Sequence, residues 1–122
     1  MSHDPDLERD LRVERVLRTV EQLPPGRVAA YGQVGAIAGV GARHVGRILR
    51  DWGADVPWWR VVAADGTVAP PLRDAAFAHW EHEGIPVRPD GAGCRPREVG
   101  ADLHALREAA RRAWADLPQD PG

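Results

Sequence analysis

The 122-residue chain contains no lysine and no asparagine, and only one each of cysteine, methionine, phenylalanine and tyrosine. A lone cysteine, Cys94, excludes an internal disulfide, and a reducing cytoplasm is the expected compartment, nucleoid-associated in a bacterium. No apolar run approaches the roughly 20 residues that span a bilayer. The start, Met1-Ser2-His3-Asp4-Pro5-Asp6, lacks the basic-then-apolar order of a signal peptide, so a soluble protein without a membrane partner is expected. Metal ligands are equally sparse. His79 and His82 stand at i and i+3 with no cysteine nearby, which predicts a solvated helix face, no metal and no cofactor. The missing lysine and asparagine fit the coding bias of a GC-rich genome and carry no functional reading.

There is also no large excess of positive charge. A net charge of −2 argues against a protein that coats nucleic acid indiscriminately, because phosphate contacts dominate such affinity. The distribution says more. From Arg27 to Arg73 six arginines face only Asp51, Asp55 and Asp65, while the rest of the chain holds ten arginines against fifteen carboxylates. A basic face on an acidic body is expected.

What is present is enough for one compact core, since a chain of this length buries roughly 65–70% of its extended surface. Leu7, Leu11, Val16, Val20 and Leu23 predict a helix over 5–23, with Asp4 as N-cap and Pro5 in its first turn. Tyr31 opens a second helix to Ala38 through Val34 and Ile37. Gly39 and Gly41 break it, and a third helix runs from Ala42 to about Trp52 with Val45, Ile48 and Leu49 inward and Arg43, His44, Arg47 and Arg50 outward. Helix, glycine-bearing turn and arginine-rich helix make a helix-turn-helix pattern. Val61-Val62 and Thr67-Val68-Ala69 flank Ala64-Asp65-Gly66 and predict a short β-hairpin. A helix capped by Asp74 is expected to reach Glu83, burying Ala75, Phe77, Ala78 and Trp80, with Gly84 as its stop. Pro86 to Arg97 reads as a loop or tether. Asp102 to Leu117 reads as an amphipathic helix with Leu103, Leu106, Ala110, Ala113 and Trp114 along one side, followed by a frayed tail. The fold class expected is mostly α with a short β-hairpin, a winged-helix-like DNA-binding domain. Its divisions are 1–87 for the domain, 88–100 for the loop and 101–122 for the helical extension and tail.

Four stretches carry a more specific signal: Pro25-Gly26-Arg27-Val28-Ala29-Ala30-Tyr31-Gly32, Gly41-Ala42-Arg43-His44-Val45-Gly46-Arg47, Pro57-Trp58-Trp59-Arg60-Val61-Val62 and Asp65-Gly66-Thr67-Val68. In this order they resemble the DNA-binding domain of O6-alkylguanine-DNA alkyltransferases over about residues 10–87, and Trp58 makes the alkyltransferase-like proteins the closer match. The resemblance implies that Tyr31 presses on the backbone beside a target nucleotide and that Arg43 enters the base stack as the base leaves. It implies DNA contacts at Tyr31, Ala42, Arg43, Gly46 and Arg47. The absent Cβ of Gly46 would admit a neighbouring backbone, and the amides at Ala42 would favour a phosphate.

The implied pocket for an alkylated guanine comprises Tyr31, Pro57, Trp58, Trp59, Arg60, Val61 and Arg73. Arg60 is expected to pair with a carboxylate, and Arg73 to lie near where some members sense the modified base. Trp58 stands in place of the reactive cysteine and Trp59 in place of the histidine that would activate it, so no catalytic residue is expected. An indole can instead stack on a flipped base, worth roughly 1–3 kcal/mol, against a flipping cost of a few kcal/mol. The implied function is recognition of O6-alkylguanine in double-stranded DNA without alkyl transfer, by a monomer that hands the lesion to a nucleotide excision repair protein. Two alternatives stand beside it. One is a sequence-specific helix-turn-helix regulator, which needs a dimer; the other is an alkyltransferase using Cys94.

Overall fold

The computed structural model describes residues 5–118; the N-cap expected at Asp4 and the last four residues of the tail lie outside them. Among the described residues six helices and one small sheet make the fold: α1 (Pro5–Glu21), β1 (Ala29–Ala30), α2 (Tyr31–Ala38), α3 (Ala42–Trp52), β2 (Val61–Val62), α4 (Arg73–Glu83), α5 (Pro96–Val99) and α6 (Leu103–Ala113). Single 3-10 turns at Gly53–Asp55, Trp58–Arg60 and Pro70–Leu72 join the later elements. Among the described residues no helix is long and apolar enough to cross a membrane.

The sheet differs from the expected hairpin. The chain does turn back after Val62, with the Gly66 N–H on the Ala63 carbonyl at 2.8 Å and the Ala63 N–H on the Thr67 carbonyl at 3.0 Å. Yet the ladder partner of Val61-Val62 is Ala29-Ala30, in parallel, and Thr67 pairs instead with Gly93. Parallel strands need a crossover, and here α2 and α3 supply it. Because side chains alternate across a strand, this ribbon divides the interior in two. Ala29 and Val61 join Val16, Val20, Val34, Val45, Ile48 and Leu106 in a core between α1, α2, α3 and α6. Val28 and Val62 face the other way, into a second core with Val68, Ala76, Trp80, Ile85 and Cys94.

Several helix details depart from the periodic reading. α1 ends at Glu21, two residues early, but Leu23 is still buried through a following turn, while Leu7 is exposed. α4 begins at Arg73, so Asp74 sits inside the first turn and caps nothing. Its buried residues are Ala76 and Trp80; Ala75 and Ala78 are exposed and Phe77 is half-buried. That one-position rotation puts Trp80 wholly inside, where its indole N–H meets the Trp59 carbonyl at 2.8 Å. Asp102 does cap α6, accepting from the Ala105 N–H at 3.1 Å.

The segment 88–100 is no free tether: it is fastened to the domain and includes the short helix α5. Arg88 binds the carbonyls of Asp65 and Cys94, the Thr67 hydroxyl and the Asp90 carboxylate. Val28 gives its N–H to Val99 and takes that of Ala101, at 2.9 and 2.8 Å.

Candidate nucleic-acid interface

The joint between α2 and α3 depends on two glycines. Gly39 ends α2 in the left-handed region, at φ +83°, and its N–H returns to the Gly35 carbonyl. Gly35 lies under the turn, where any Cβ would collide with the Val40 carbonyl. The short break fixes α3 beside the start of α2, and Gln33 secures that start by accepting the Ala30 N–H at 2.8 Å.

A cavity of about 720 Å³ opens between the two helices and the segments after them, within the ~300–1,000 Å³ span of small-molecule clefts. Arg43, Arg47 and Arg50 of α3 form its basic rim, and Leu49, Trp58, Ala69, Pro71 and Leu72 its apolar wall. Tyr31, Gly46, Gly53 and Ala54 complete the lining. Arg43 and Arg47 are exposed, one helical turn apart, and no described side chain neutralises either. Arg50 has only Asp51, at 3.8 Å in an exposed pair. Burial pushes the Tyr31 phenol above its ordinary value, so the hydroxyl remains a neutral hydrogen-bond donor.

The sequence reading assembled five of the twelve residues that line this site. Tyr31, Arg43, Gly46, Arg47 and Trp58 meet at the cavity. Ala42 is exposed at the start of α3, whose N-cap, Gly41, has no side chain to satisfy the first amides. Above Gly46 lies no foreign backbone but the Tyr31 ring, whose Cε1 would be 3.9 Å from an added Cβ.

The other expected pocket residues serve the frame. Val61 is buried in the first core, and Pro57 holds the 3-10 turn through its carbonyl on the Arg60 N–H at 3.0 Å. Arg73 does not line the cavity; its Nε donates to the Val68 carbonyl at 2.8 Å, tying α4 to the segment before it. Trp59 turns away towards α4. Its ring stacks on His79 and its indole N–H reaches the Glu83 carboxylate at 2.7 Å. Trp58 stands edge-on to both Trp59 and His79, at 5.8 and 6.2 Å between centroids, so that stack braces the cavity wall from behind.

The carboxylate expected for Arg60 is Glu83. Arg60 Nε lies 2.9 Å from Oε1 and Nη2 2.8 Å from Oε2, while Nη1 donates to the Leu23 carbonyl at 2.8 Å. Glu83 also accepts the Gly26 N–H at 2.9 Å. Sequence reasoning missed Glu83, although Ala76, Trp80 and Glu83 stand at i, i+4 and i+7, one inward stripe of α4. Leu49, expected inward, does pack half-buried against the first core and lines the cavity as well, while Pro71 and Leu72 were overlooked as wall residues.

Cys94 is wholly buried in the second core, away from the cavity, with its thiol 3.9 Å from the Gly66 carbonyl. Burial pushes its pKa up and disfavours the thiolate. Among the described residues no group of three or more His, Cys, Asp or Glu is placed to hold a metal ion.

Residues 12–85 match the family described as 6-O-methylguanine DNA methyltransferase, DNA binding domain. The chain belongs to that family. Within the methyltransferase DNA-binding family, a DNA base-flipping protein of Vibrio parahaemolyticus serotype O3:K6 is 34% identical over 79 residues, which cover 60% of this chain and 79% of the relative. A DNA base-flipping protein of Escherichia coli K12 is 40% identical over 60 residues, 46% of each chain, so the match spans about half of that relative. Among solved structures, S. pombe Atl1 in complex with damaged DNA containing O6-carboxymethylguanine superposes with a TM-score of 0.68 at 23% identity, over 76% of this chain and 96% of that one. A second complex, of S. pombe ATL with DNA, gives 0.61 at 24% identity over 84% and 99%. At such identities the likeness establishes a shared fold. The family match ends before α5 and α6 begin.

Proposed function

We propose that this chain recognises O6-alkylguanine in duplex DNA by rotating the modified base into the cavity beside Trp58, and leaves the alkyl group in place. The observation that carries this reading is the position of Trp58: an indole forms the wall of a base-sized cleft in a family whose name denotes methyl transfer. Arg43 and Arg47 offer unneutralised guanidinium groups at the rim for phosphate or for the gap left in the stack. Tyr31 offers a ring and a neutral donor beside them. The base-flipping names of the bacterial relatives and the damaged DNA bound by Atl1 support the same activity.

Alkyl transfer requires a thiolate and a base. Trp58 supplies no sulfur, the Trp59 indole nitrogen has no basic lone pair and only donates, to Glu83, and Cys94 is buried elsewhere. With the alkyl group left in place, the reading further takes the chain for a monomeric sensor at the bacterial nucleoid that passes the lesion to an excision repair protein. Mobility shifts on matched duplexes with guanine or O6-methylguanine test it, together with a labelled alkyl group to follow its fate. Preferential binding with the label still on DNA is expected; equal affinity for the two duplexes, or label on the protein, refutes it.

A further inference from the structure

We infer that α6, which lies beyond the family match, carries a second row of DNA-phosphate contacts formed by Arg107 and Arg111 and reached across α2 from the cavity. This rests on the DNA-binding reading above and extends its footprint.

The placement of α6 follows from its two ends. Ala101, just before α6, borders Gly32 and Gln33 at the start of α2 in a shared groove. Trp114, just after it, borders Ile37, Ala38 and Gly39 at the end of α2. The two helices therefore run side by side in the same direction. α1 packs against both and against α3. Arg18 of α1 clamps the far end of α6 through the Ala113 carbonyl at 2.9 Å and Asp116, and the Trp114 indole N–H reaches the Arg15 carbonyl at 3.2 Å.

Helical spacing then orients the charges. Leu106 and Ala110 point into the core. Arg107, Arg111 and Trp114 follow at i, i+4 and i+7, a single stripe. Trp114 lies where α6 meets both the Arg15 carbonyl of α1 and the groove at the end of α2, and from there the stripe of the two arginines runs back along the outer edge of α6 beside α2. Glu108, the one carboxylate within α6, is turned further from α2 than the row, at three residues from Arg111 and four from Arg112, and no described ion pair joins it to either arginine of the row. Arg107 and Arg111 are exposed, and no described side chain neutralises either.

Between this row and Arg43 and Arg47 lies only α2, whose sequence YGQVGAIA holds no charged residue, and whose Gly32, Gln33 and Ala36 are exposed. Two basic rows flanking a neutral helix without a carboxylate complement a regular polyanion better than a folded acidic partner. Each phosphate neutralised contributes about −0.9 to the slope of log K against log salt. Phosphate contacts position a protein without reading the base, so this row should strengthen binding to modified and ordinary duplex alike.

The test is the salt dependence of duplex affinity for the full chain, for Arg107→Ala with Arg111→Ala, and for Arg112→Ala as a control outside the row. The double variant should lower the slope by about one to two and weaken binding on the order of tenfold at 0.1 M salt, equally for modified and ordinary duplex. The control should leave the slope unchanged, and thermal melts should show all three proteins folded. If the double variant keeps the parental slope, as it would were α6 reserved for an acidic protein, the inference falls while DNA recognition stands. An equal loss in Arg112→Ala would mark a general charge effect and also overturn it. Failure of the intact chain to hold any duplex removes both readings.

Discussion

Trp59 lies flat on His79, with ring centroids 3.6 Å apart and planes 4° from parallel. The pair backs Trp58 and not the cavity itself, so the residue that follows the indole wall acts as its brace. The stack is held from two further sides, by the indole N–H on Glu83 and by the Arg60 guanidinium 5.5 Å above the Trp59 ring.

Trp59→Phe keeps a flat ring on His79 and removes the donor to Glu83. A loss of about 2 kcal/mol is expected in chemical denaturation, as for a hydrogen bond to a charged group. Lesion preference should persist, because Trp58 keeps its edge contacts. A variant of unchanged stability that has lost lesion preference would show that Trp59 touches the base directly.

Trp58→Ala should do the reverse. The side chain is half-buried, so stability should change modestly, while loss of one base–aromatic stack removes roughly 1–3 kcal/mol of preference, on the order of ten- to a hundredfold. Competition shifts with modified and ordinary duplex measure it. Trp58→Cys, tested with a labelled alkyl group, should transfer little, since position 59 provides no base.

Acid should expose the Arg60–Glu83 pair. Burial alone raises the Glu83 pKa, but hydrogen bonds from Arg60, the Gly26 amide and the Trp59 indole outweigh it and hold the carboxyl below its ordinary 4.5. A depressed carboxyl stabilises the fold above its unfolded value and loses that contribution as pH falls through the folded one. Parental stability should therefore decline below about pH 4.5, and Glu83→Gln should flatten that limb. At neutral pH the same variant leaves Arg60 buried without its counter-charge and should cost about 3 kcal/mol. An acid limb identical in both proteins would assign it to other groups.

Gly46 separates folding from binding. An alanine Cβ there meets the Tyr31 ring at 3.9 Å, an ordinary contact, and relieves a helical glycine of roughly 0.5–1 kcal/mol of backbone entropy. Gly46→Ala should melt no lower than the parent. Gly46→Leu must push the ring aside and fill the cavity, so it should fold yet bind duplex more weakly. Equal affinity for both variants and the parent would place the bound base elsewhere.

The sequence disclosed those parts of the molecule that local rules govern. α2 and α3 were legible because Gly39 and Gly41 punctuate two apolar stripes, and the cavity residues on them came with the helices. The parallel pairing of Ala29-Ala30 with Val61-Val62 was not, since two residues per strand carry no period and the partners lie 32 residues apart. Pro57-Trp58-Trp59-Arg60 reads as one contiguous pocket segment, yet its 3-10 turn sends Trp58 to the cavity and Trp59 and Arg60 to α4. Only the distant Glu83 and His79 decide that division.

The two-residue ribbon imposes parity on the chain that feeds it. Inserting or deleting one residue between Pro57 and Val61 would exchange Val61 with Val62 across the ribbon and send each into the wrong compartment. The cavity wall can thus trade one side chain for another, sulfur for indole included, while its length tolerates change only in steps of two.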